Sequence, residues 1–189
     1  MSKINFNSIK QKASNSKKVE STGDKLVNKL FTKNKNNFLN EFDNHIITKE
    51  LEAGPGGNNI SNTLGGKGNL FSFIGFLKSQ NPIEELRSIL EQNFSFKKSK
   101  MGNKLKYIIN FPDLEKVKKA TPMPWENGNS WVVSIERGIS GLSYYLSNKF
   151  SQKSRSGRGV QTKGRINSLN YKPTDYLSTI IKNFKRNFK

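Results

Sequence analysis

Residues Leu51–Phe76 read LEAGPGGNNISNTLGGKGNLFSFIGF. Gly54, Gly56, Gly57, Gly65, Gly66 and Gly68 crowd the first two thirds of this stretch. Glycine lowers the cost of positive φ and of close backbone approach. A loop of this length is costly to order unless its shape is needed. The apolar run Leu70–Phe76 follows at once and reads as a buried strand. Phe71 and Phe73 fall on one face, with Leu70, Ile74 and Phe76 on the other. The expectation is a shaped loop hung on a β-core.

The glycines do not spell a phosphate-binding motif. A P-loop needs glycine four residues before its Gly-Lys pair and Ser or Thr after it. Gly66-Lys67 has Ser61 and Gly68 at those places. A dinucleotide fingerprint starting at Gly54 would need glycine where Asn59 stands, and it would follow a strand rather than a helix.

Composition sets the outer bounds. The 189 residues suit one domain with an appended arm, and 33% hydrophobic content allows a modest core. The net charge is +19, carried by 27 lysines and only six arginines against 14 acids. A charge of this size favours polyanionic neighbours: nucleic acid, an acidic protein surface or anionic lipid. With no cysteine there is neither a disulfide nor a thiolate metal site, and the sole histidine is His45. No apolar run reaches the roughly 18 residues of a membrane span. The amino terminus lacks a signal-peptide core, and the first arginine is Arg87, against an Arg-rich transit peptide. These features point to a cytosol-like space or a packaged particle.

Outward from the loop, residues 1–23 read as a flexible basic arm and 24–189 as a single α+β domain. Asp24–Thr48 has helical spacing, with Lys33–Asn37 as a place for a bend or break. Asn81-Pro82 opens a short helix striped by Ile83, Leu86, Ile89 and Leu90. Phe94–Lys98 and Lys104–Phe111 read as two strands joined by a turn at Met101-Gly102-Asn103. Asp113–Lys119 reads as a helical turn or two, and Thr121–Asn129 as a loop. Trp131–Glu136 alternates like another strand, and Leu142–Phe150 fits either strand or helix. Asp175–Phe188 is the clearest helix, with Thr174 as its expected cap. The fold class expected is a small mixed or antiparallel sheet packed by an amino-terminal and a carboxyl-terminal helix, with long glycine-rich loops.

Chemistry is hard to find. A lone imidazole lacks the partners a metal site needs; serines and acids could complete a triad with it, but no G-x-S-x-G elbow exists to present the nucleophile. Asp113 and Glu115-Lys116 resemble a nuclease core only superficially. No catalytic residue, cofactor or metal ligand is therefore assigned. The basic stretch SRSGRGVQTKGR (Ser154–Arg165) has three readings. Arg155, Arg158, Lys163 and Arg165 could touch phosphates, pair with acidic surface on a neighbouring subunit, or simply be solvated. From Leu146 onward there are eleven basic residues and one acid, Asp175.

Four segments carry a resemblance: NHIITKELEAG (Asn44–Gly54), NISNTLGGKGNLFSFIGF (Asn59–Phe76), PWENGNSWVVSIERGISGL (Pro124–Leu142) and Ser154–Arg165. Together they resemble virion proteins of contractile-tailed bacteriophages, in the neck and tail-completion group that joins head to tail or caps the tail tube. The resemblance implies a non-enzymatic α+β subunit of a homo-oligomeric ring, such as a hexamer, located in the virion. Its partners would be neighbouring neck or tail proteins and packaged DNA, with no membrane. The implied assembly contacts are Gly54, Gly56, Gly57, Gly65, Gly66, Lys67, Trp125 and Trp131, and the basic contact loop is the one named above. The alternative is a basic RNA-binding protein such as a ribosomal subunit.

Overall fold

The computed structural model describes residues 16–66, 68–101, 104–124, 126–138 and 171–188. Within them the chain is α+β, with seven α-helices and two small antiparallel sheets.

Helix α1 (Lys17–Asn44) runs 28 residues without a break, so Lys33–Asn37 does not interrupt it. It also takes in residues 17–23, which the sequence reading assigned to the arm. Phe31, Phe38, Leu39 and Phe42 form its buried stripe. The helix ends at Asn44, where His45 turns extended and starts α2 (Ile46–Glu52). A 3-10 turn (Gly54–Gly56) follows, and then the long loop.

The apolar run after the loop is helical. Leu70–Ile74 is helix α3, not a strand. Asn69 accepts a hydrogen bond from the Ser72 amide at 2.7 Å, and Gly75 at φ +88 stops the helix. Leu70, Phe71 and Ile74 are buried, which a helical turn achieves as well as a strand would. Helix α4 (Pro82–Gln92) has the expected Asn81 cap, with Asn81 Oδ1 accepting from the Glu84 amide.

Strands β1 (Ser95–Met101) and β2 (Lys104–Asn110) pair antiparallel from Ser95↔Asn110 to Met101↔Lys104. Helix α5 (Leu114–Ala120) follows. The expected loop at Thr121–Asn129 contains two short strands, β3 (Pro122–Met123) and β4 (Glu126–Ser130), which pair with each other. Trp131–Arg137 is helix α6 rather than a strand. Ser130 caps it by accepting from the Val133 amide, and Gly138 at φ +100 ends it.

Helix α7 (Leu177–Arg186) closes the fold against α1, burying Leu177, Ile180, Ile181 and Phe184. Its cap is not Thr174. The carboxylate of Glu136, on α6, accepts from the Tyr176 and Ser178 amides at 3.2 and 2.7 Å. A negative group suits a helix amino terminus, where free N–H groups point outward.

Aromatic rings fill the interior. Phe184 lies against Phe38, Phe94 and Phe111, joining both terminal helices to the hairpin. Phe31 meets Phe94 and Phe96 edge-on. Edge-to-face pairs of this kind add stability beyond the area they bury.

Candidate functional site: the loop between α2 and α3

The loop is built around a buried carboxylate. Glu50 shares a helical face with Ile47 and Leu51, and all three are buried. Its Oε1 accepts from Asn59 Nδ2 at 2.8 Å and from the Leu70 amide at 2.8 Å. Its Oε2 accepts from the Ser61 amide at 2.9 Å. Burying a carboxylate costs a great deal unless donors replace the lost water. Here three N–H groups from three points of the loop do so.

Asn59 carries the pattern outward. Its Oδ1 accepts from the Leu64 and Gly66 amides at 2.9 and 3.1 Å. Its Nδ2 faces Glu50, Ser61 Oγ and Thr63 Oγ1 within 3.1 Å, three acceptors for two protons. Asn69 holds the other flank, donating from Nδ2 to the carbonyls of Gly54 and Gly57. Two asparagines and one glutamate thus bind the loop to itself and to α3.

The glycines serve this closure. A Cβ on Gly57 would come within 2.7 Å of the Ala53 side chain. Gly65 and Gly66 take φ of +66 and +77 as the chain wraps Asn59. Asn59, Thr63 and Asn69 turn inward, while Asn58 and Asn62 face outward. Gly56, Gly65 and Gly66 are exposed, and Ile60 stands 51% exposed at the crest.

The loop also touches the stretch just ahead of α7. The Lys172 amide donates to the Thr63 carbonyl at 2.8 Å. The Tyr171 ring stacks on Phe73 at 5.9 Å, and its hydroxyl donates to the Ile135 carbonyl. Burial pushes the Tyr171 phenol above its ordinary pKa, so it stays protonated and able to donate. Below it the Tyr176 hydroxyl lies 2.8 Å from Thr48 Oγ1, fully buried, with its pKa likewise raised by burial.

Of the residues expected to make contacts, Gly54, Gly56, Gly57, Gly65 and Gly66 lie together in this loop. Trp131 does not join them. It is 3% exposed, with its ring edge-on to Phe76, and is a core residue because helix α6 turns it inward. Lys67, Trp125, Arg155, Arg158, Lys163 and Arg165 lie outside the described residues, as does Leu142–Phe150. Sequence reasoning missed Glu50, Asn59 and Asn69, the residues that make the loop. The available signal was a glutamate on the apolar face of a short helix, beside Ile47 and Leu51.

His45 has a structural task. Its Nδ1 accepts from the Ile47 amide at 3.2 Å, capping α2, and its ring lies 4.8 Å from that of Tyr176. Burial holds the imidazole below its ordinary pKa, against the opposing pull of the Asp175 backbone and the Glu136 charge. Among the described residues no three His, Asp or Glu side chains converge as a metal site would need. Nor is any helix among them long and apolar enough to cross a membrane. Comparison with protein-family models, curated proteins and solved structures finds no match for this chain.

Proposed function

We propose that this chain is an assembly subunit that grips its neighbours through the loop between α2 and α3 and through the basic stretch Ser154–Arg165. In line with the resemblance, the setting is the neck or tail end of a contractile-tailed phage. There the chain forms a homo-oligomeric ring that completes or terminates the tail or connects it to the head.

The supporting observation is the Glu50 network. It orders a long surface loop with buried hydrogen bonds and leaves glycine backbone, Asn58, Ile60 and Asn62 outside. That arrangement offers shape to a partner rather than a reactive group. A loop ordered in advance lowers the entropy that association must cost. The Lys172–Thr63 bond ties the stretch just ahead of α7 to the same loop.

The test is mass by light scattering on the nuclease-treated full chain at low and high salt, over a range of concentrations. A discrete ring is expected, and Ile60→Asp should reduce it to smaller species with unchanged circular dichroism. A monomer at every concentration overturns the ring. A monomer that carries nucleic acid and sheds it steeply with salt favours the RNA-binding reading instead. Mass spectrometry of purified particles tests the virion location directly.

A further inference from the structure

The β1–β2 hairpin has two unlike faces. Its inner face carries Phe96 and Ile109, packed on the core, and Tyr107, whose hydroxyl donates to Asp24 Oδ1 at 2.6 Å. Lys98 is also on this face and is neutralised there. Its Nζ reaches Glu20 at 2.6 Å and Asp24 at 2.9 Å.

The outer face carries Ser95, Lys97 and Ser99 on β1 and Lys106, Ile108 and Asn110 on β2, all exposed. Asn110 Nδ2 donates to Ser95 Oγ, keeping the two polar side chains in the plane of the face. From Gln92 to Pro112 the sequence holds five lysines and no acid. The register sets Lys97 opposite Ile108 and Lys106 opposite Ser99. The two ammonium groups therefore stand on diagonal neighbours, whose Cα atoms are roughly 7–8 Å apart in an antiparallel pair. Neither takes part in the ion pairs found among the described residues. Like charges so placed repel, and an anion spanning both relieves the repulsion.

We propose that this outer face binds duplex DNA, with Lys97 and Lys106 on phosphates and Ser99 and Asn110 offering hydrogen bonds beside them. The B-form major groove, about 12 Å wide, admits a two-stranded ribbon. The A-form major groove of duplex RNA is too narrow and deep for side chains to read. Single strands are bound largely by stacking on aromatic rings, and this face has none: Tyr107 points inward to Asp24. An acidic protein surface would also meet the lysines. The regular two-strand ribbon with short polar side chains between the charges favours a groove flanked by phosphates. The inference does not rest on the loop reading, and its residues lie on a different element.

The test is fluorescence anisotropy of a 20-base-pair duplex with the full chain, across salt concentrations. K97Q/K106Q is compared with K25Q/K29Q, which removes the same charge from exposed positions of α1. The hairpin pair should weaken binding about ten-fold more than the α1 pair and reduce the salt slope by about 2. K97R/K106R should bind as the parent does. Circular dichroism of each variant establishes that the hairpin is folded. Equal losses from both pairs would mean diffuse charge attraction and overturn the proposal. So would equal binding of a single strand, or hairpin-dependent binding of polyglutamate that matches the duplex.

Discussion

The loop between α2 and α3 and the β1–β2 hairpin solve the same problem in opposite ways. Both are polar segments that must hold a shape near the surface. The loop turns Asn59 and Asn69 inward: with Glu50 of α2 they replace the hydrogen bonds that no regular ladder supplies. The hairpin satisfies its backbone by strand pairing and is free to turn its polar side chains out. Polar residues are therefore structure in the first region and surface chemistry in the second. The distinction follows from where backbone groups find partners, since buried ones must find them.

The largest way to break this comparison is Glu50→Ala. It strands the Leu70 and Ser61 amides, while Asn59 Nδ2 keeps Ser61 Oγ and Thr63 Oγ1. Leaving buried donors unpaired costs about 1–3 kcal/mol each, with losses that overlap, so a total of about 3–4 kcal/mol is expected. That is a large share of the stability of a small domain. Glu50→Gln keeps one acceptor oxygen and should lose about half as much. Urea unfolding of both variants measures this. A loss under about 1 kcal/mol for the alanine variant would mean that the loop is held by its glycine geometry and not by the carboxylate.

The contrast also explains what could be read in advance. The hairpin was legible because period-two alternation and a strand ladder go together. Helix α4 was legible from Asn81-Pro82, and α7 from its stripe. The run at Leu70 was misread as a strand because so short an apolar segment has no period to distinguish the two, and that at Trp131 because its brief alternation hid the helical spacing of Trp131, Val132 and Ile135. Their ends held the missing information. In both, a capping residue precedes the run (Asn69, Ser130) and a glycine with positive φ follows it (Gly75, Gly138). Helix α7 hid its cap for another reason: Glu136 lies 40 residues before Tyr176, beyond any local pattern. Glu50 was hidden likewise, because its three donors are 9, 11 and 20 residues away.

A second, smaller test reaches the helix that carries Glu50. His45 caps α2 only while Nδ1 is unprotonated. Burial lowers its folded-state pKa below the ordinary value of about 6.5 that the unfolded chain has. The unfolded state therefore binds the proton first. Stability from this group is full above about pH 6.5, falls as pH drops from there toward the folded pKa, and levels off below it. The amplitude should be about 1 kcal/mol, the usual worth of a cap. His45→Asn keeps an accepting side chain that does not titrate, so its melting temperature should stay flat between pH 7.5 and 5.5 while that of the parent falls. Parallel curves would assign the pH dependence to other groups.

The smallest effect belongs to the hairpin's best-looking polar contact. Lys98 bridges Glu20 and Asp24 at short distances, and its ammonium pKa is raised by those two hydrogen bonds. Asp24 is shifted down, first by Tyr107 and then by Lys98. On distance alone this cluster rivals the Glu50 network. Yet it lies open to water, where the ions keep their solvation and gain little by meeting. Lys98→Met, which keeps the stem packed over the helix, should leave the melting temperature within the scatter of replicate scans. Any residual difference should vanish at 0.5 M salt, where screening removes what Coulomb attraction remains. A Lys98 loss as large as that of Glu50→Gln would abolish the distinction between the two regions, because exposed ion pairs would then hold the hairpin in place as buried hydrogen bonds hold the loop.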